Sequence, residues 1–91
     1  MGVVALSLDT LGSLSTALGH GTLQTQNFTT ATSAYNTAVG SQAGSAVTTG
    51  IFNTIIGGLA GDSLTDADRN TAVGVGALTT DTLGSLSLIH I

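Results

Sequence analysis

The side chains able to do chemistry are few, and their spacing narrows the options further. Three carboxylates gather in Asp62-Ser63-Leu64-Thr65-Asp66-Ala67-Asp68, a density that suggests a calcium loop. The segment has neither the glycine nor the terminal Glu of an EF-hand loop, so a solvated turn is the expected reading. Gly57-Gly58-Leu59-Ala60-Gly61-Asp62 is only a loose echo of the Gly-Gly-x-Gly-x-Asp calcium nonapeptide. It does not serve as a phosphate loop either, because no Lys follows and no helix is expected to present its N-terminus. His20 has no acidic neighbour in sequence, and no Gly-x-Ser-x-Gly elbow exists to activate a serine. Asn27-Phe28-Thr29 matches a glycosylation sequon and is taken as chance in a chain of bacterial or viral type. The expectation is a protein that is not an enzyme, with no catalytic residue, no metal and no cofactor.

Charge sets a second limit. The 91 residues carry one basic side chain, Arg69, against five acids, all aspartate, for a formal net charge of −4. Nucleic-acid binding is excluded, because displacing counterions from phosphates takes clustered Lys and Arg. Without cysteine there is neither a disulfide framework nor a thiolate zinc site, and the compartment is left open. No run of about 18 apolar residues occurs, so no membrane insertion by this segment is expected. Met1-Gly2 opens a short apolar stretch with no basic residue ahead of it and no small-residue cleavage site, so no signal peptide is read there.

What organises these residues is a repeat. Asn36-Thr37-Ala38-Val39-Gly40 recurs as Asn53-Thr54-Ile55-Ile56-Gly57 and as Asn70-Thr71-Ala72-Val73-Gly74, each 17 residues on. A degenerate copy, Ser15-Thr16-Ala17-Leu18-Gly19, lies 21 residues upstream, which places four additional residues between Gln26 and Ser33. A longer period of 72 relates Gly2 to Gly12 with Gly74 to Gly84, so the chain begins inside one four-unit block and runs into the next, as a fragment would. Residues 1–85 are therefore read as the repeat segment. The remaining residues, 86–91, are what the codons CTG TCT CTT ATA CAC ATC encode. That string resembles the end of a transposase adapter used in sequencing libraries, and 86–91 are expected to be adapter-derived, a natural apolar strand being the alternative.

Glycine every few residues, abundant Thr and no sustained 3.6 period exclude helices, and short strands remain. The fold class is all-β, a β-solenoid or β-roll of 17-residue repeats whose successive units stack as rungs of a parallel sheet. Thr16, Thr37, Thr54 and Thr71 share a strand face with Leu18, Val39, Ile56 and Val73, and Ala17, Ala38, Ile55 and Ala72 take the opposite face. Ile56 is assigned to an inward apolar stack. The glycine that ends each strand is followed by a second short strand at Thr22-Leu23, Ala43-Gly44, Leu59-Ala60 and Ala77-Leu78. Asn36, Asn53 and Asn70 are expected at a turn corner, in the left-handed region, with their amides bonded from unit to unit as a ladder. Both strand faces are apolar and a narrow roll buries only one, so a homotrimer is expected, with a parallel dimer and a wider monomeric solenoid as competitors.

One column breaks the small and neutral character of the units. The residue before each Asn position is Leu14, Tyr35, Phe52 or Arg69, which brings two rings and the sole basic side chain to neighbouring rungs. Aromatic stacking and a cation–π contact are expected there. Tyr35, Phe52 and Arg69 are the candidate receptor contact, for a cell-surface glycan or protein, with the long loop as its rim. The competing reading is a ladder that only stabilises the edge. Thr48, Thr65 and Thr82 form a further column of the kind that orders water on ice-binding solenoids, an alternative function for a Thr-rich β-solenoid.

The phased Asn-Thr-Ala-Val-Gly motifs resemble the left-handed β-roll head repeats of trimeric autotransporter adhesins, which carry an Asn-Ser-Val-Ala-Ile-Gly type motif, and similar repeats of bacteriophage tail fibres. The resemblance covers Met1 to about Ser85. It departs from the adhesin pattern in its 17-residue unit, which is longer, and in Thr where the family places an inward Val. It implies a structural or adhesive segment, a shaft that also takes part in host attachment, on a virion tail fibre or a bacterial surface, outside the cell.

Overall fold

A computed structural model describes residues 3–79 and the strand at 88–90. The described residues form an all-β chain of seven short strands: β1 (Gly12–Ser13), β2 (Thr16–Leu18), β3 (Thr32–Ser33), β4 (Thr37–Val39), β5 (Thr54–Ile56), β6 (Thr71–Val73) and β7 (Leu88–His90). Five of them make one parallel sheet in the order β2-β4-β5-β6-β7, and β1 pairs with β3 in a second. Parallel neighbours cannot be joined by a hairpin, so the chain must travel back to its starting level between one strand and the next. The repeat supplies that path. Thr37 pairs with Thr54, Thr54 with Thr71 and Thr71 with Leu88, and each pair is one 17-residue unit apart.

In β2, β4, β5 and β6 the central residue is the most buried and faces the interior. Ala38, Ile55 and Ala72 are fully buried, whereas Leu18 is 45% and Ile56 39% exposed. The inward assignment of Ile56 is therefore corrected: the interior takes the Ala38, Ile55 and Ala72 column, and the Thr and Leu/Val/Ile columns look outward. The period-2 pattern fixes which residues share a face but not which of two apolar faces is inside. Ile55 is the large side chain between Ala38 and Ala72, and Leu23, Val47 and Leu64 fill the space around the alanines. Side chains of unlike volume thus share a thin, continuous core.

The second strand expected after each glycine is absent among the described residues, and consecutive tight turns occupy those positions. Ala43 N–H donates to Gly40 O (3.1 Å), Ser45 N–H to Gln42 O (3.2 Å) and Val47 N–H to Gly44 O (3.0 Å). Gln42 and Gly44 sit in the left-handed region at φ 60° and 61°, as do Leu59 and Gly61 one repeat later. A backbone that alternates in this way cannot run as a strand. The turns still bond across units, since Gln42 N–H reaches His20 O at 2.7 Å and Leu59 N–H reaches Ser41 O at 2.9 Å.

The additional residues of the long unit are localised by its hydrogen bonds. Thr10 Oγ1 donates to Asn27 Oδ1 across a spacing of 17, and Asn27 N–H donates to Thr48 O, 21 residues on. The unit is in phase up to Asn27 and in phase again at Thr37, opposite Thr16. The surplus lies in the turn between, where Phe28 is buried, Thr29, Thr30 and Ala31 are exposed, and β3 returns the chain beside β1.

Candidate functional site: a stacked surface column

The residue preceding each Asn position turns the chain sharply. Leu14, Tyr35, Phe52 and Arg69 all adopt left-handed backbone, at φ 64°, 52°, 61° and 59°. The expectation that the Asn residues hold this conformation is corrected by one position. An L-residue pays about 1 kcal/mol or more there, and the cost is met by cross-unit bonds such as Phe52 N–H to Ala34 O (2.8 Å) and Arg69 N–H to Ile51 O (3.0 Å). The kink throws the side chain outward and the following Asn inward. Tyr35 is 54% exposed and its neighbour Asn36 is fully buried.

The 17-residue spacing brings the outward side chains together. The Tyr35 and Phe52 rings stack with centroids 6.0 Å apart and planes inclined by 23°. The Arg69 guanidinium carbon stands 5.3 Å from the Phe52 centroid. Phe52 thus contacts both a ring and a cation, the first arrangement worth about 0.5–1.5 kcal/mol and the second about 0.5–1 kcal/mol at an exposed site. No enclosed pocket exists among the described residues. What the column offers to solvent is a ridge of ring edges, the Tyr35 hydroxyl and the guanidinium N–H groups. Such a ridge can donate hydrogen bonds to an acceptor such as a carboxylate or amide.

Beneath the ridge the Asn residues form the expected ladder, fully buried. Asn53 N–H donates to Asn36 Oδ1 and Asn70 N–H to Asn53 Oδ1, both at 2.9 Å. Asn36 Nδ2 donates to Gly50 O and Asn53 Nδ2 to Ala67 O, both at 2.8 Å. The ladder fixes the level of each kink above it, and so sets the spacing of the rings.

The other chemistry-bearing residues are not brought together. Asp66 is exposed, Asp68 Oδ1 accepts the Ile51 N–H at 2.9 Å, and no three acidic or histidine side chains converge among the described residues. His20 is exposed on a turn. Thr48 Oγ1 donates to Thr65 O at 3.3 Å and Thr65 Oγ1 to Asp66 Oδ1 at 3.4 Å, so these hydroxyls are engaged within the protein. The fully buried Gln26 is the residue that sequence reasoning passed over. Its signal was a polar side chain in step with Val47 and Leu64. Comparison with family models, curated proteins and solved structures returns no match for the chain.

Proposed function

We propose that the chain is a β-roll, a β-solenoid segment of 17-residue units, and that three copies associate in parallel as the shaft of a phage tail fibre or bacterial surface adhesin outside the cell. The observation that carries this reading is one short strand per unit, paired in parallel register with the same strand of the next unit. The outward face of that sheet holds Leu18 and Ile56 at 45% and 39% exposure in a single chain. A regular apolar strip of this kind is a natural seam between sister chains. Sedimentation equilibrium of the chain is expected to return three times the monomer mass. A folded monomer at micromolar concentration would remove the association.

Attachment is assigned to the Tyr35, Phe52 and Arg69 ridge. Joint replacement of Tyr35 and Arg69 by Ala is expected to abolish adhesion to host cells or immobilised glycan in a protein that stays folded, its melting lowered by no more than the several degrees that the two lost ring contacts account for. A lowered melting temperature with unchanged adhesion would leave the column a stabilising ladder and the segment a spacer. A second reading, ice binding, is favoured by one feature: Thr16, Thr37, Thr54 and Thr71 stand in register on the outward face. Thermal hysteresis of the purified protein separates the two, and ordinary freezing leaves the fibre reading.

A further inference from the structure

The amide ladder has one irregular unit, and it is also the unit with four additional residues. Ser15 stands there in place of Asn, and its Oγ meets Gln26, whereas Asn36 and Asn53 accept the backbone N–H of the next Asn. Gln26 takes over. Its Oε1 accepts from Asn36 Nδ2 at 2.8 Å, and its Nε2 donates to Asp9 Oδ2 at 2.5 Å and to Ser15 Oγ at 3.3 Å. Ser15 Oγ lies 3.4 Å from Gln26 Oε1, and Asp9 Oδ1 accepts the Gly12 N–H at 2.9 Å.

In the two units that follow, the position of Gln26 is apolar, whereas Asp9 holds it in the unit before and Asp81 in the unit that begins with Asn70. Val47 and Leu64 occupy it, fully buried, in the units that begin with Asn36 and Asn53. Compared with the units that begin with Asn36 and Asn53, the unit that lacks Asn carries its buried amide at this position instead, where Gln26 bonds Asp9 of the same column one unit before. A buried amide is costly unless its groups are satisfied, and here both ends of Gln26 are.

We infer that Gln26 is a positioning residue that carries the register of the buried ladder through the 21-residue unit. With the ladder held by Gln26, the surplus residues are displaced into the turn at 28–33, and Thr37 still meets Thr16. Thr29, Thr30 and Ala31 are left at the surface, where their side chains are free of any core requirement. The register of the strands and the content of the turn become independent of each other.

The test is native-state hydrogen exchange on the full chain and two variants. Gln26→Met keeps the length of the side chain and removes its hydrogen bonds. Ser15→Asn with Gln26→Val installs the pairing of the regular units. Gln26→Met is expected to speed exchange about tenfold or more at the Thr16 and Gly40 amides, which bond Asn36 O and Leu18 O at the β2–β4 junction. The Thr54 and Gly74 amides of the β5–β6 junction are expected to keep their rates. The double variant is expected to return the β2–β4 amides to within about threefold of the parent, the size of a surface change. Unchanged exchange at β2–β4 in Gln26→Met, or equal acceleration at both junctions, would overturn the assignment. So would a double variant that exchanges as fast as Gln26→Met. If Gln26→Met does not fold, the double variant decides alone: folding with parental β2–β4 protection supports the role, and failure to fold rejects it.

Discussion

Ile55 and Ile56 are adjacent, chemically identical and on opposite sides of a three-residue strand. Ile55 is fully buried between Ala38 and Ala72, while Ile56 is 39% exposed. A carboxylate at Ile55 would stand in an apolar interior with no cation to pair it, so Ile55→Asp is expected to cost at least about 3 kcal/mol. Urea or thermal melting checks this, and a loss below about 1 kcal/mol would contradict the interior drawn here. Which isoleucine is inside could not be read from the sequence, because Thr-Ile-Ile is apolar on both faces. The Tyr35, Phe52 and Arg69 column was legible, since three exceptional residue types fall at one repeat position and only adjacent rungs separate them. The left-handed backbone beneath that column was not. Asn is the residue type that tolerates this conformation best, and the structure uses it instead for its buried amide.

The strands β2, β4, β5 and β6 are three residues long because of the glycine that follows each of them. Gly57 has φ 129°, and a Cβ built there would lie 2.5 Å from Gly74 O and 2.6 Å from Gly74 C. Gly40 meets Gly57 in the same way, so a column of glycines lets successive units approach more closely than any side chain allows. Gly57→Ala combines an unfavourable φ with a backbone clash and is expected to cost about 2–4 kcal/mol. Gly58→Ala is the internal control: its nearest neighbour is Ser41 O at 3.9 Å, and its effect is expected within about 0.5 kcal/mol. Similar melting temperatures for the two variants would mean that the units are not packed glycine on glycine. The strands themselves were legible from the recurring Thr-x-Val-Gly pattern. The turns after them are not legible as turns, because the left-handed backbone falls on Gln42 and Leu59, residue types that carry no marker for it, as readily as on Gly44 and Gly61. The β1–β3 pair escaped for a different reason. Gly12 pairs with Thr32 at a spacing of 20, outside the periods of 17 and 21 that organise everything else.

At the scale of the whole molecule, every strand of the main sheet touches only its neighbours in the stack, so stability is close to a sum of contacts between successive units. Such a stack has no single keystone, and the loss of a terminal rung removes one interface and leaves the others intact. Leu88–His90 occupies the terminal place: it pairs with Thr71–Val73 at the same spacing of 17, although its sequence shares neither the Asn nor the Gly of the repeat. A parallel rung asks of the backbone only an extended triplet with free N–H and C=O groups, which residues of almost any origin provide. The features that hold a unit in register are elsewhere, in the buried Asn36-Asn53-Asn70 ladder and in the glycine contacts. Deletion of 86–91 is therefore expected to leave a folded protein with the β circular dichroism of the parent and one cooperative transition, its midpoint lowered by a few degrees through the lost pairing with β6. The measurement is thermal melting of the truncated and parent chains side by side. Collapse of the transition, or loss of the β signal at 25 °C, would show that the terminal rung is a structural end-piece on which the whole stack depends, and the additive description of the fold would then fail.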